Sequence, residues 1–141
     1  MTHYDFILAG GGAAGLSLAY HLAHSPLRDR SVLIIDQDTK DRNDRTWCFW
    51  TDRPTPFEGI VHRCWSRLRF LTKDLDLTFD LGAYRYQMVR GIDFYRFVRQ
   101  DTAAWAQVDM VQGAVERIED GPSGATMAVD GSTYTGGVDL R

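Results

Sequence analysis

The sequence predicts an α/β domain built around a parallel β-sheet, and three stretches of the chain support this prediction. An apolar stretch at residues 4–9 comes before a glycine-rich segment and a helical apolar pattern. A second apolar stretch, residues 31–35, has the length of a buried strand. Residues 108–111 form a third such stretch, which follows another helical pattern. Strands that alternate with helices in this way are typical of parallel sheets.

A run of small residues at positions 10–15, Gly-Gly-Gly-Ala-Ala-Gly, joins the first strand to the first helix. Gly10 allows a sharp turn, Gly12 has no Cβ to obstruct a pyrophosphate, and Gly15 lets the helix lie close to the strand. The first helical turn, which includes Ala13 and Ala14, offers unpaired N–H groups at the positive end of the helix dipole. The run therefore predicts a phosphate-binding loop. A glycine turn that binds nothing is the alternative.

Asp36 ends the second strand about 20 residues after the glycine run, where a carboxylate can accept hydrogen bonds from an adenosine ribose. Because Asp36 is negatively charged, it also disfavours a ribose that carries a 2′-phosphate. The alternative is an exposed carboxylate at a strand end. The loop and the carboxylate together predict a Rossmann-like dinucleotide-binding fold.

Two helices are expected. The first covers residues 13–24, with Leu18 and Leu22 on one face, and with His21 and His24 as helix-end residues rather than ligands. The second begins near Asp93, its expected N-cap, and has apolar residues along one side. These apolar residues are Phe94, Phe97, Val98 and Trp105.

Between and after the helices, alternating apolar residues predict antiparallel strands. Residues 68–81, with a polar turn at 72–74, predict an inserted hairpin with one apolar face, and residues 84–88 predict a further strand. Residues 114–134 predict a β-meander with turns at 121–124 and at Asp130-Gly131. A meander after the third parallel strand is frequent in FAD-binding Rossmann domains, whereas NAD-binding domains usually cross over with a helix. The sequence therefore favours FAD as the cofactor.

Length and composition indicate one globular domain or part of one. A chain of 141 residues can bury one core, and its 44% hydrophobic and 25% charged residues are typical of globular proteins. A net charge of -3 gives no basic surface for nucleic acid. No apolar run reaches the roughly 18 residues of a membrane span, and the N-terminus does not resemble a signal peptide. We therefore expect a cytoplasmic protein, with peripheral membrane contact left open, and reduced thiols at Cys48 and Cys64.

Three segments resemble bacterial lycopene cyclases of the carotenoid pathway: residues 4–15, residues 43–50 and residues 86–95. The first, Tyr-Asp-Phe-Ile-Leu-Ala-Gly-Gly-Gly-Ala-Ala-Gly, is shared with many flavoproteins. The second is Asn-Asp-Arg-Thr-Trp-Cys-Phe-Trp, and its Trp-Cys-Phe-Trp cluster is far more specific. The resemblance implies an FAD-dependent enzyme that closes the ends of lycopene into β-ionone rings. This isomerase-type cyclisation needs reduced FAD, and NADPH is commonly the reductant.

Members of that family are much longer than this chain. The resemblance therefore implies that residues 1–141 are the N-terminal, incomplete portion of an FAD-binding domain, without the substrate domain. Alone, this portion is expected to be inactive, because cyclisation needs a positioned acid and an apolar cavity that excludes water. Such cavities usually form between domains. The product ring type and the oligomeric state are left open.

Three further residues are candidates for contacts with FAD. Arg45 can meet the pyrophosphate or the flavin through its guanidinium, but it can equally be solvated or paired with Asp44. Arg90 is a candidate for a contact on the flavin side, just before the second helix. Val115 lies where related flavoproteins place backbone contacts to adenine.

Trp47, Phe49 and Trp50 are candidates to line a channel for the polyene, although aromatic residues in a strand more often belong to the core. No catalytic residue is assigned, because nothing in the spacing of Asp80 or Glu58 distinguishes either of them as the acid. Two other functions fit the same dinucleotide-binding features. One is an FAD-dependent monooxygenase or reductase, and the other is a dinucleotide-binding module that does not catalyse a reaction.

Overall fold

A computed structural model describes residues 2–122 and 124–137 of the chain. The chain divides into two compact units, Met1–Asp41 with Val98–Arg141, and Arg42–Phe97. The assignment of residues 1–141 to one incomplete domain stays a prediction. Within the described ranges, no helix is long and apolar enough to cross a membrane.

The secondary structure alternates between short strands and two helices. In chain order the elements are β1 (Thr2–Tyr4), β2 (Phe6–Ala9), α1 (Ala13–Ala23), β3 (Val32–Asp36), β4 (Thr46–Thr51), a 3-10 turn (Glu58–Ile60), β5 (Val61–Trp65), β6 (Arg67–Leu71), β7 (Asp76–Asp80), β8 (Arg85–Arg90), α2 (Gly91–Thr102), β9 (Val108–Gln112), β10 (Val115–Gly121), β11 (Gly124–Val129) and β12 (Ser132–Gly136).

The first unit contains the predicted parallel sheet, in the order β2-β3-β9. Val32 lies opposite Phe6 on one side and opposite Val108 on the other, and both pairings are parallel. The middle strand is the most buried, since Leu33 and Ile35 are completely inaccessible to solvent. The predicted α/β fold class is confirmed.

A second sheet of the first unit, in the order β1-β12-β11-β10, contains the predicted meander. Strands β10, β11 and β12 are antiparallel neighbours. Asp130 (φ 45°) and Gly131 (φ 77°) both have the left-handed backbone that a type I′ turn requires. The predicted turn at residues 121–124 includes Ser123, which lies outside the described residues.

The first apolar stretch forms two strands, so the prediction of one strand over residues 4–9 is wrong. β1 pairs in parallel with β12, whereas β2 pairs with β3. Asp5 separates them, because its carboxylate accepts hydrogen bonds from the Ser31 N–H (2.7 Å), the Ser31 hydroxyl (2.9 Å) and the Arg30 guanidinium (3.1 Å). These bonds lower the pKa of Asp5, and the bond from the Ser31 backbone has the largest effect.

Helix α1 ends one residue before its predicted end. Its buried stripe consists of Leu16, Ala19 and Leu22, which follow one another at three-residue spacing. Leu18, which was predicted to share one face with Leu22, is 47% exposed because it lies at the edge of this stripe.

The histidines of α1 lie at its C-terminal end, as predicted. His21 is in the last turn, and His24 is the residue after the helix. The His24 ring stacks on Tyr20, with ring centroids 4.3 Å apart, and its Nδ1 lies 2.8 Å from the Tyr20 carbonyl oxygen.

The second unit contains an antiparallel sheet in the order β4-β8-β5 and the separate hairpin β6–β7. The hairpin confirms the predicted antiparallel insertion. Leu68 lies opposite Phe79, and Phe70 lies opposite Leu77, so the apolar residues share one face. The other face carries the ion pairs Arg67–Asp80 and Arg69–Asp76.

Helix α2 begins at Gly91, two residues before the predicted N-cap, so the capping role of Asp93 is wrong. Asp93 lies instead in the first turn, where its carboxylate accepts hydrogen bonds from the Arg90 guanidinium at 2.6 and 3.1 Å. Trp105, which was predicted on the apolar side of this helix, lies beyond the helix end. There its indole N–H donates to the Arg28 carbonyl oxygen (2.6 Å).

Removal of the Asp5 carboxylate is expected to destabilise the first unit. Asp5→Ala should lower the free energy of unfolding by about 1–3 kcal/mol at neutral pH, because partly buried donors lose their acceptor. Since the pKa of Asp5 is lowered in the folded state, its contribution is present above the usual value of 3.8 and is lost as the pH falls below it. Urea unfolding of both proteins between pH 3 and pH 7 should therefore show a difference that shrinks in acid.

The exposed Asp29 provides the matched control for this experiment. Asp29→Ala should change the free energy of unfolding by less than about 0.5 kcal/mol at any of these pH values. An Asp5→Ala protein that is as stable as the parent at pH 7 would contradict the role given to Asp5.

Candidate dinucleotide-binding site

The glycine run forms the tight connection between β2 and α1. Gly10 has a φ of 112°, and its N–H donates to the Ile35 carbonyl oxygen at 2.7 Å. A Cβ at Gly15 would lie 2.0 Å from the Gly10 carbonyl oxygen, which is impossible without a backbone shift. A Cβ at Gly12, in contrast, would meet no described atom within 4 Å. The fold thus requires glycine at positions 10 and 15, whereas glycine at position 12 leaves open space.

The N-terminus of α1 borders that open space. The N-cap residue is Gly12, which has no side chain to cap the helix, and the first turn contains no acidic residue among the described positions. The Leu16 N–H donates to the Gly12 carbonyl oxygen (3.0 Å) and so makes the first intrahelical bond. The N–H groups of Ala13, Ala14 and Gly15 therefore have no acceptor within the helix. This is the arrangement that binds phosphate groups.

Asp36 lies beside the glycine run, as the sequence predicts. Its Oδ2 accepts a hydrogen bond from the Gly11 N–H (2.7 Å), and its Oδ1 accepts one from the Asp38 N–H (2.8 Å). The Lys40 ammonium lies 3.5 Å from Oδ2. The structure thus brings together the predicted residues Gly10, Gly12, Ala13, Ala14, Gly15 and Asp36 within one unit.

A pocket of about 220 Å³ opens next to Asp36. Its apolar lining includes Leu16, Ile34 and Met110, and its polar lining includes Asp36, Lys40 and Arg99. Apolar walls suit the faces of an adenine ring, and the polar groups suit a ribose. The sequence prediction missed Lys40, Arg99 and Met110. No local pattern signals Lys40, because it lies in a loop after β3, where a four-residue spacing does not indicate proximity.

Val115 begins β10 and is about one third exposed (36%). A bulge in the pairing with β11 lies between Val115 and Arg117. Two residues earlier, the Gly113 N–H donates to the Asp36 carbonyl oxygen (3.0 Å), which ties the connection between β9 and β10 to the end of β3. The predicted contact of Val115 with adenine stays a prediction.

Arg45 and Arg90 lie in the second unit, at the start of α2. The Gly91 N–H donates to the Arg45 carbonyl oxygen (2.8 Å), and the Arg45 side chain is exposed. Asp44, its alternative partner, accepts a hydrogen bond from the Tyr95 hydroxyl (2.8 Å). The Arg90 guanidinium holds the pKa of the Asp93 carboxyl below its usual range. The contacts of both arginines with a cofactor stay predictions.

A family model described as lycopene cyclase protein matches residues 5–136 of the chain. The chain belongs to the lycopene cyclase family. A comparison with curated protein sequences gave no match.

Three solved structures illustrate the fold that this family member shares with other proteins. PqsL from Pseudomonas aeruginosa, a probable FAD-dependent monooxygenase, has a TM-score of 0.70 at 15% identity, over 96% of this chain and 41% of that chain. The p-nitrophenol 4-monooxygenase PnpA from Pseudomonas putida DLL-E4 has a TM-score of 0.73 at 12% identity, over 96% of this chain and 39% of that chain. A thioredoxin reductase from Gloeobacter violaceus has a TM-score of 0.53 at 13% identity, over 96% of this chain and 32% of that chain. This chain spans less than half of each of these proteins, and the low identities show the fold alone.

The Trp-Cys-Phe-Trp segment of this lycopene cyclase family member lies in β4. Strand alternation puts Trp47 and Phe49 on one face of the sheet and Trp50 on the other. Trp47 packs edge to face against Phe94, with ring centroids 5.3 Å apart, and so belongs to the core of the second unit. Trp50 is 53% exposed and stacks against Tyr86, with ring centroids 4.6 Å apart. The three aromatic residues therefore do not form one surface, and a polyene channel stays a prediction.

The two acidic candidates have different environments. Asp80 forms an exposed ion pair with Arg67 (2.8 Å), which lowers the pKa of Asp80. Glu58 accepts hydrogen bonds from the Gln87 side-chain amide (3.1 Å) and from the Thr55 N–H (3.1 Å). Neither environment identifies a proton donor. Cys48 and Cys64 are free and exposed.

The geometry of the glycine run predicts that the fold tolerates an added Cβ at position 12 but not at position 15. Gly15→Ala should cost about 3 kcal/mol of unfolding free energy, the upper end for overpacking, because a backbone carbonyl cannot rotate away from the new Cβ. Gly12→Ala should cost less than about 1 kcal/mol, because the Cβ enters open space and position 12 has an extended backbone. Chemical denaturation of both variants checks this, and equal losses of stability would contradict the geometry.

Proposed function

We propose that this chain is the N-terminal FAD-binding part of a lycopene β-cyclase-like enzyme, which closes the end groups of lycopene into β-ionone rings. One observation carries the proposal: in a member of the lycopene cyclase family, open space lies beside Gly12 at the N-terminus of α1, and Asp36 ends the neighbouring strand. Family membership supports the substrate class. The geometry supports the cofactor.

The residues of the first unit fit the adenosine diphosphate half of FAD. The helical N–H groups of Ala13 and Ala14 would donate to the pyrophosphate, because they have no acceptor within α1. The Asp36 carboxylate would accept hydrogen bonds from the ribose, and the pocket beside it would hold the adenine. Val115 would add a backbone contact to adenine.

In the second unit, Arg45 and Arg90 would bind on the flavin side. Arginine suits this role because its planar guanidinium stays charged and donates several hydrogen bonds at once. The Arg45 side chain is exposed, which supports a role in binding a ligand. Arg90 would contribute while it also holds Asp93.

The proposed reaction is an isomerisation that consumes no net oxidant. A proton adds to an end-group double bond of lycopene, a neighbouring double bond attacks the resulting carbocation, and loss of a proton completes the ring. Reduced FAD would supply the charge stabilisation that the family's reaction requires, with NADPH as its reductant. Lycopene is an apolar polyene that a membrane can hold. We therefore also propose that the protein is cytoplasmic and makes peripheral contact with the membrane that holds its substrate.

An FAD-dependent monooxygenase is the second candidate, because the similar solved structures include PqsL, a probable FAD-dependent monooxygenase, and PnpA, a p-nitrophenol 4-monooxygenase. A glycine run and a strand-end carboxylate serve both kinds of enzyme. The two candidates differ in their products, since a monooxygenase adds an oxygen atom and a cyclase does not.

Binding of FAD tests the cofactor. We expect the protein to bind FAD, measured by the change in flavin fluorescence on titration, and Gly12→Val to abolish binding because its branched side chain would occupy the space of the pyrophosphate. Circular dichroism of the variant should match that of the parent, since position 12 is open. A Gly12→Val protein with the parent's affinity for FAD would place the pyrophosphate elsewhere.

Lycopene-producing cells test the reaction. We expect β-carotene or γ-carotene from cells that express a longer protein containing this chain, and none from cells that express residues 1–141 alone, because cavities that exclude water usually form between domains. Chromatography of the cell pigments distinguishes the outcomes. Oxygenated lycopene without rings would favour the monooxygenase. Cyclic products from residues 1–141 alone would show that this chain contains the whole catalytic site.

A further inference from the structure

Lys40 combines two unusual features beside Asp36. Its backbone has a φ of 53°, a left-handed conformation that few residues other than glycine adopt. Its side chain is only 14% exposed, although lysine is among the residues least often buried. The chain therefore accepts an uncommon backbone conformation at a position that brings an ammonium group to 3.5 Å from Asp36 Oδ2.

Hydrogen bonds fix the loop that carries Lys40. The Lys40 N–H donates to Asp38 Oδ1 (2.9 Å), and the Asp38 N–H donates to Asp36 Oδ1 (2.8 Å). From α2, the Arg99 guanidinium donates to the Thr39 carbonyl oxygen (2.5 Å). The backbone that carries Lys40 is thus fixed by its own loop and by a helix, unlike that of a lysine on a free surface segment.

We propose that Lys40 is a second ribose-recognition residue, which works together with Asp36 in selecting a ribose that carries its 2′-hydroxyl. This inference rests on the proposed function, because it assumes that adenosine occupies the pocket beside Asp36. Each hydroxyl of a ribose can both donate and accept a hydrogen bond. The Asp36 carboxylate can only accept, and the Lys40 ammonium can only donate, so the pair satisfies both capacities of the diol.

The same pair sets the charge of the pocket. Asp36 and Asp38 place two carboxylates close together in this loop, and Lys40 adds a positive charge next to them. Without Lys40, the lone pairs of the ribose oxygens next to Asp36 would lack the ammonium donor. Loss of Lys40 should therefore weaken binding and reduce the preference for a ribose with its 2′-hydroxyl.

The sequence provides a matched control. Lysine occurs at positions 40 and 73 only, each time within the tripeptide Thr-Lys-Asp. Lys73 lies in the exposed turn between β6 and β7. Asparagine is the suitable replacement at both positions, because it is neutral and tolerates the left-handed backbone of position 40.

Titration with FAD gives the first readout. Lys40→Asn should bind FAD about tenfold more weakly than the parent, which is the effect of one charge-assisted hydrogen bond, whereas Lys73→Asn should bind like the parent. Displacement of FAD by ADP and by 2′-deoxy-ADP gives the second. The parent should bind ADP about tenfold more tightly than 2′-deoxy-ADP, and Lys40→Asn should show only about a threefold preference for ADP. Unchanged affinity or unchanged preference in Lys40→Asn overturns the inference, provided that its unfolding curve matches the parent's.

Acylation of lysine amines, followed by mass spectrometry, gives a readout that needs no variant. Saturating FAD should slow the modification of Lys40 severalfold and leave that of Lys73 unchanged. Equal modification of Lys40 with and without bound FAD overturns this inference but does not contradict the proposed function. A parent protein that does not bind FAD at all overturns the proposed function, and this inference with it.

Discussion

The Asp36 carboxylate accepts backbone hydrogen bonds from two loops, through the Gly11 N–H and the Asp38 N–H. An ionised carboxylate has about four lone-pair positions, so these two bonds leave capacity for Lys40 and for a ribose. The loop suited to phosphate and the group suited to ribose are therefore fixed relative to each other within one unit. A site fixed in this way loses little conformational freedom on binding, which favours retention of a dinucleotide.

The segment Asn-Asp-Arg-Thr-Trp, residues 43–47, which leads into the Trp-Cys-Phe-Trp cluster, anchors the start of α2 in the second unit. Three hydrogen bonds join the Asn43 side chain to the Ile92 N–H, the Asp44 side chain to the Tyr95 hydroxyl, and the Arg45 carbonyl to the Gly91 N–H. Two of them satisfy backbone N–H groups that the first turn of a helix leaves unpaired. Because a distant segment caps the helix in this way, α2 begins before Asp93 and does not need it as the N-cap.

Local patterns predicted those features of the fold that depend on local properties. The parallel strands, both helices and the meander follow from the spacing of apolar residues, since each element buries one face. Residues 4–9 were predicted incorrectly because their division depends on the bond between Asp5 and Ser31, which are far apart in sequence. In the candidate site, the glycines and Asp36 form a recognisable pattern. Lys40 does not, because its burial and left-handed backbone arise from the hydrogen bonds of its loop.

The proposed cyclisation requires a proton donor, and Asp80 is poorly suited to be one. Its ion pair with Arg67 lowers its pKa, whereas a general acid near neutral pH needs a raised pKa. Glu58 lines a cavity of about 240 Å³ together with the buried Gln87, but polar side chains such as Arg53 and Arg85 also line this cavity. An apolar polyene end group and a short-lived carbocation require walls that exclude water. The described residues are therefore better suited to hold a dinucleotide than to protonate a carotenoid.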